Sequence, residues 1–189
     1  CIGCKACKAE CPSQVDMVRL KSEFLHAEQA QKQVPLRKRL RNQLFGHIKW
    51  LNHLGALTAP LSNALVKQKH LRQGLEKLTG ISSITPLPPF AAVPFDYRFA
   101  HHKRPESANT VNAQSLRPAV ILFNDCYMNY NHPEVGEAAV KVIEALGYQV
   151  IVPEQTCCGR PQISLGLLPR ARQSAQAVWQ ALAPYLSGS

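Results

Sequence analysis

The chain has 189 residues, enough for one ordinary domain or two small ones. A hydrophobic fraction of 46% and a charged fraction of 18% indicate a folded chain rather than a disordered one. No apolar run approaches the ~18 residues of a membrane-spanning helix, and no signal-peptide pattern is visible. The net charge of +10 suits nucleic acid, an acidic partner or an anionic membrane surface. Zinc-finger histidine spacing and aromatic–basic interleaving are both missing, so nucleic acid is not an expected partner. The first residue is Cys1 rather than methionine, which reads as a processed start or a piece of something longer.

Cys1-Ile-Gly-Cys4-Lys-Ala-Cys7-Lys-Ala-Glu-Cys11-Pro12 opens the chain. Residues 13–33 then read as a helix, with Ser13 and Asp16 placed like a capping box and Val15, Val18, Phe24 and Leu25 as its apolar face. Pro35 interrupts it. Leu36, Leu40, Leu44, Ile48 and Leu51 follow at spacings of one helix face. Arg37, Lys38, Arg39, Arg41 and Lys49 occupy the other side, making a basic amphipathic helix. Its apolar stripe is expected to face the core; the sharper alternative is docking on a membrane surface or an acidic partner. A further helical piece runs over 61–78 and stops near Gly80.

Residues 81–118 carry Pro86, Pro88, Pro89, Pro94, Pro105 and Pro118 with little periodicity, the signature of an extended connector. Phe90, Phe95, Tyr97 and Phe99 are nevertheless too apolar for a solvated linker. Residues 119–123 and 148–152 read as buried strands. Between them Pro133 starts a helix with Val135, Ala139, Val142, Ile143 and Leu146, closed by Gly147. Strand, helix and strand in this order predict a βαβ unit with parallel strands. A last helix is expected over 167–186, trimmed by Pro169 and Pro184. The expected fold is α+β: a helical ferredoxin-type lobe over 1–80, a Pro-rich connector over 81–118, and a βαβ half-domain over 119–189.

Seven cysteines fall into two groups, four within residues 1–11 and three at Cys126, Cys157 and Cys158. An odd count, no signal peptide and ligand-type spacing point to thiols kept for metal in a reducing compartment. The spacing C-x2-C-x2-C-x3-C-P is that of [4Fe–4S] clusters in bacterial ferredoxins. Three cysteines at the required offsets from a fourth arise by chance roughly once in ten thousand or more starting points. Gly3 and Ala6 permit the tight loop that bends three thiolates onto one cube. By the two-cluster rule Cys1, Cys4 and Cys7 serve one cluster and Cys11 another. A zinc knuckle is the competing reading, and it fits four cysteines followed by proline poorly.

Cys126 lies just beyond the first predicted strand and Cys157-Cys158-Gly159 just beyond the second. Parallel strands bring both loops to the edge where open α/β sheets bind ligands. The bland alternative is buried structural thiols. His101, His102, Asp125, Tyr127, Asn129, His132 and Arg160 are weaker candidates for tuning a site or moving protons; Tyr127, Asn129 and Arg160 flank the cysteines. No dinucleotide loop, phosphate-binding loop or Ser/His/Asp arrangement is present.

Residues 1–25, through Pro-Ser-Gln-Val-Asp-Met-Val-Arg-Leu-Lys-Ser-Glu-Phe-Leu, resemble the second ferredoxin motif of bacterial FAD-linked oxidases with a fused iron–sulfur C-terminus. Residues 124–136 and Glu154-Gln-Thr-Cys-Cys-Gly-Arg-Pro161 resemble the first half of their cysteine-rich CCG domain. Iron–sulfur subunits of glycolate oxidase, lactate oxidation systems and anaerobic glycerol-3-phosphate dehydrogenase share that domain, as does one of the subunits of heterodisulfide reductase. The resemblance implies that an FAD domain oxidises a D-2-hydroxy acid while [4Fe–4S] clusters relay the electrons toward quinone. It makes Cys1, Cys4, Cys7 and Cys11 cluster ligands, and Cys126, Cys157 and Cys158 the CCG cysteines. The implied partners are an FAD-containing dehydrogenase domain or subunit and an electron acceptor. The implied location is cytoplasmic, with peripheral contact at the inner face of the membrane. The FAD domain, the first ferredoxin motif and the second CCG half have no counterpart in these residues, so the chain reads as a fragment or split-gene product that does not oxidise substrate alone. A separate iron–sulfur subunit, or a non-catalytic metal-binding module, are the alternatives.

Overall fold

A computed structural model describes residues 6–31, 34–103 and 118–186. Cys1 and Cys4 lie outside the described residues, as do positions 104–117 of the predicted connector. The described elements are α1 (Ala6–Glu10), α2 (Met17–Ala30), α3 (Leu36–Gly46), α4 (Ile48–Leu57), α5 (Ala59–Lys67), α6 (Lys69–Thr79) and α7 (Phe95–Ala100). There follow β1 (Ala119–Ile121), α8 (Cys126–Tyr130), α9 (Pro133–Ala145), β2 (Gln149–Ile151), α10 (Arg160–Ser164) and α11 (Leu168–Leu186). The class is α+β, a helical region followed by a small parallel β-α-β region. The chain forms two compact units that share it discontinuously: 1–48, 68–86 and 158–176 in the first, and 49–67, 87–157 and 177–189 in the second.

The first unit is helical and is pinned largely by side chains bonding to backbone. α2 begins three residues later than the Ser13 cap predicts. Asp16 is the N-cap, and its carboxylate accepts the Arg19 N–H at 3.0 Å. Gln14 stands at φ 49, in the left-handed region, so residues 12–15 form a turn instead of a first helical turn. Val18 and Ser22 are the buried face of α2, while Phe24 points out at 70% exposure. Gln162 Nε2 donates to the Gly46 carbonyl at 3.1 Å, and Ser174 Oγ donates to Gln162 Oε1 at 2.7 Å. Buried Arg72 donates through Nη2 to the carbonyls of Ser82 (2.6 Å) and Thr85, closing the turn after α6. α6 ends where expected, on Gly80 at φ 78.

The long Leu36–Leu51 stripe does not survive as one face. His47 leaves helical geometry (φ −112°, ψ 27°) and splits it into α3 and α4. Leu36 is 70% and Leu40 is 40% exposed, whereas the inward positions are Asn42, Gly46, Asn52, Gly55 and Ala56. Periodicity located the helices, but already before the break α3 turns Asn42 and Gly46 inward and leaves Leu36 and Leu40 exposed.

In the second unit β1 and β2 pair in parallel with Ala119 opposite Gln149, Val120 opposite Val150 and Ile121 opposite Ile151. Phe95, Val140 and Val150 form its core, with Phe99, Leu122, Met128, Ile143 and Val152 packed against them. α9 starts on Pro133 as predicted, but its inward residues are Gly136, Val140, Ile143 and Glu144; Val135 and Val142 face outward. Gly136 lies beneath the Phe95 ring, where a Cβ would come within 2.5 Å of ring carbon. The Pro-rich stretch after residue 86 packs here because side chains supply bonds its prolines cannot. Asn63 bonds both ways to the Phe90 backbone (2.9 and 2.8 Å), Asn131 Nδ2 donates to the Pro89 carbonyl at 2.9 Å, and the Ala91 N–H donates to the Tyr130 carbonyl at 2.7 Å. α11 spans Leu168–Leu186, close to the expected 167–186, with Pro184 inside it.

Gly136→Ala is expected to cost about 1–3 kcal/mol by overpacking the Phe95 ring. Gly74→Ala, exposed in α6 with nothing near its added methyl, is expected to gain about 0.5–1 kcal/mol. Urea unfolding of both variants checks the contrast, and equal midpoints would refute the packing account.

Candidate functional site

The N-terminal thiols are described for two of four positions. Cys7 is exposed on α1, and Cys11 follows it half-buried, its N–H donating to the Cys7 carbonyl at 3.1 Å. Downstream the chain turns back around Cys11: the Gln14 N–H donates to the Cys11 carbonyl at 2.9 Å. The backbone N–H groups of Val15 and Ser13, with a smaller contribution from Gln14, point at the Cys11 sulfur and hold its thiol below the ordinary value against a small desolvation penalty. The left-handed Gln14 makes this wrap achievable. Sulfur ringed by backbone donors is the setting a metal-bound thiolate needs, so this donor set fits an iron–sulfur cluster.

The second cysteine group is built on the parallel pair. After Ile121 the chain passes through Leu122, whose N–H donates to the Ile151 carbonyl at 2.9 Å, and enters α8. Asp125 caps that short helix by accepting the N–H groups of Tyr127 and Met128 at 2.7 and 2.9 Å. Cys126, its first residue, is only 6% exposed. Asn129 is completely buried, and its Oδ1 accepts the Asp96 N–H at 2.8 Å and Asn124 Nδ2 at 3.0 Å. Two donors on one oxygen fix the orientation of both amides. Beyond β2 the chain reaches Gln155, Thr156 and Cys157 at the same edge of the sheet.

Six buried side-chain polar atoms among the described residues have no hydrogen-bond partner, and four sit in these two loops: Asn124 Oδ1, Asn129 Nδ2, Gln155 Oε1 and Thr156 Oγ1. A buried unpaired polar group costs about 1–3 kcal/mol, so each of these four atoms calls for a partner. Of the four, Asn129 Nδ2 and the Thr156 hydroxyl are donors, and thiolates with such donors near them in sequence fit an iron–sulfur group, whose sulfides accept hydrogen bonds. Among the described residues, no three of His, Cys, Asp and Glu stand close enough to hold a metal ion.

Cys157 is half-buried in the second unit and Cys158 is exposed in the first. Gly159 follows at φ 73, a conformation that L side chains rarely adopt, and α10 starts directly after it. Tyr127 is exposed, its ring tilted by 45° against that of His132 with centroids 4.9 Å apart; Arg160 is exposed at the start of α10. His102 pairs with buried Glu144 at 2.9 Å, and the His101 ring hydrogen-bonds the Tyr97 carbonyl at 2.8 Å, so both are engaged on α7 and α9. Asn124, Gln155 and Thr156 escaped the sequence reading; their one signal was adjacency to the cysteine loops.

Comparison with known proteins places this geometry in a class. Residues 120–184 match the family described as the cysteine-rich domain, CCG. The chain is 30% identical over 140 residues to a subunit of the anaerobic glycerol-3-phosphate dehydrogenase of Escherichia coli K12, covering 74% of this chain and 34% of that protein. It is 25% identical over 181 residues to D-2-hydroxyglutarate dehydrogenase of the same strain, covering 93% of this chain and 17% of the relative. Lactate utilization protein A of Geobacillus kaustophilus is 38% identical over 65 residues, 34% of this chain and 27% of that protein. The chain thus spans about a third or less of each of these relatives. No solved structure matches it. The resemblance drawn from the motifs holds, to the iron–sulfur C-terminal region of this dehydrogenase group. Among the described residues no helix is long and apolar enough to cross a membrane.

Cys11 in the metal-free protein is expected to alkylate with a pH midpoint below the ordinary thiol value, returning to it in urea. Its thiolate form therefore favours the fold at higher pH, and that contribution is lost as pH falls through the folded midpoint. Mass-spectrometric tracking of iodoacetamide labelling checks this; identical folded and unfolded midpoints would refute the wrapped-sulfur account.

Proposed function

We propose that the chain is an electron-transfer segment of an FAD-linked 2-hydroxy-acid dehydrogenase, taking electrons from flavin and passing them toward quinone or another acceptor. The span of the likeness carries this reading. Alignment with D-2-hydroxyglutarate dehydrogenase covers 93% of the chain and so runs well beyond the cysteine-rich region. Cys1, Cys4, Cys7 and Cys11 are the proposed N-terminal ligands; Cys126, Cys157 and Cys158 are the proposed CCG ligands. When bound, [4Fe–4S] clusters supply one-electron carriers. The protein's own part is to present thiolates, with Cys11 held ready by the backbone donors around it, and to offer Asn129 Nδ2 and the Thr156 hydroxyl as buried donors beside Cys126 and Cys157. Residues 1–80, 81–118 and 119–189 are the proposed ferredoxin-type lobe, connector and cysteine-rich half-domain. Flavin belongs on a separate domain or subunit, and peripheral contact with the inner face of the membrane is part of the proposal.

A second reading is a separate iron–sulfur subunit of a glycolate or glycerol-3-phosphate dehydrogenase complex. The 30% identity to the glycerol-3-phosphate dehydrogenase polypeptide favours it. An in-frame flavin domain encoded upstream of Cys1 supports the first reading, and a flavoprotein that co-purifies as a second polypeptide supports the other.

Anaerobic reconstitution with iron and sulfide is expected to give absorbance near ~400 nm and an EPR signal on reduction. Cys7→Ser and Cys11→Ser are each expected to lose an N-terminal cluster signal with circular dichroism unchanged, while Cys126→Ser spares it. Full iron content in Cys7→Ser would overturn the ligand assignment, and no spin signal in the parent protein would overturn the electron-carrier reading.

A further inference from the structure

The second unit holds a cavity of about 300 Å³ that the cysteine chemistry leaves unexplained. Its walls are aromatic: Trp50, His53 and Tyr130. The His53 ring stands at 87° to Trp50 and 70° to Tyr130, with centroids 6.2 and 5.8 Å apart. The rings therefore wall a space instead of stacking flat and filling it. The rest of the lining is Asp96, Glu154, Gln155 and Lys49. In a chain with 22 basic and 12 acidic residues, a cavity with two carboxylates against one ammonium runs counter to the charge of the whole.

The donors of this lining are spent while acceptors remain. Lys49 Nζ donates to the Gln155 carbonyl at 2.7 Å, and His53 Nδ1 lies 3.4 Å from the Tyr130 hydroxyl. Asp96 is fixed twice: its N–H donates to Asn129 Oδ1 and its Oδ1 accepts the Tyr97 N–H, both at 2.8 Å. Asp96 Oδ2 and both carboxylate oxygens of Glu154 have no donor among the described residues. Gln155 is only 7% exposed and keeps Oε1 without a partner. Such an acceptor calls for an N–H or O–H group. The Tyr130 hydroxyl is pushed up first by burial and next by the charge of Asp96, so the field of that carboxylate reaches the aromatic wall. An anion would meet two carboxylates here. A cation with N–H groups faces the carboxylates and the ring faces with its charge and brings the missing donors.

We infer that this cavity binds an organic cation bearing N–H donors, an alkylguanidinium or alkylammonium. Asp96 and Glu154 meet its charge, Trp50 and Tyr130 pack against it, and Gln155 Oε1 accepts one of its N–H groups. Trp50 matters most among the rings, because the indole face attracts cations best. Binding of this kind moves no electron and breaks no covalent bond, so it stands apart from the electron-carrier reading above. A free diamine-type molecule and an arginine side chain of a partner protein offer the same chemistry.

Isothermal titration calorimetry of the whole chain tests this at physiological ionic strength, where distant charges are screened beyond about 8 Å. Agmatine is expected to bind saturably. Glu154→Gln and Trp50→Leu, both at exposed positions, are each expected to raise its Kd at least about tenfold with circular dichroism unchanged. Glu23→Gln, at an exposed carboxylate of the first unit, is expected to leave it alone. Tetramethylammonium, which carries the charge without an N–H, is expected to bind at least about tenfold more weakly than agmatine. Tighter binding of agmatine than of N-acetylargininamide points to a free molecule, and the reverse to an arginine side chain; either supports the site. Heat that does not saturate overturns the inference, as does a Kd that Glu154→Gln and Trp50→Leu leave unchanged. Equal affinity for tetramethylammonium, or tighter binding of D-lactate than of agmatine, overturns it as well. The cluster signals of the reconstituted protein are read separately, so either reading can fail without the other.

Discussion

Two strands of three residues each cannot stand alone in water, because so short a pair buries too little to offset its ordering. The β1–β2 pair exists because α9 and the Phe95 ring cover it, and the positions of the thiol loops depend on that cover. Phe95 is 1% exposed and sits on Gly136 of α9, so the contact that shields the strands also sets how closely the helix approaches. The strands beneath it pair in parallel, so the segments that follow them, with Cys126 and Cys157, both leave from their C-terminal ends.

Asn129 extends the same constraint into the site. It is fully buried, and its single amide oxygen holds both the start of α7, through the Asp96 N–H, and the Asn124 side chain. The loop that carries Cys126 and the helix that supplies Phe95 are therefore fastened to one atom. Polar side chains repeat this role along the Pro-rich stretch, where Asn63 and Asn131 satisfy backbone that proline cannot. A small unit gains definition this way: buried amides with directional demands admit fewer alternatives than apolar packing alone.

The first unit is held differently. Buried apolar residues are few there, and Gln162, Arg72 and Ser174 close its turns by bonding to carbonyls and to one another. Many leucines of this unit stay on the surface, among them Leu20, Leu36, Leu71 and Leu78 at 53%, 70%, 51% and 63% exposure.

The sequence by itself determined most element positions. Thiol spacing, the Pro133 start of α9, the Gly80 stop of α6 and the strand–helix–strand order are local signals, and local signals need no partner to be read. The resemblance to the CCG group was equally legible, since it rests on contiguous residues. Tertiary structure alone decided which helix faces turn inward: α3 buries Asn42 and Gly46 rather than Leu36 and Leu40, and Phe95 packs on Gly136 and Val140 rather than Val135 and Val142. It alone buried the unpaired Asn124, Asn129, Gln155 and Thr156 atoms close in sequence to the cysteines. Those groups are ordinary amides and hydroxyls in sequence, and they become conspicuous only when burial removes the water that would satisfy them.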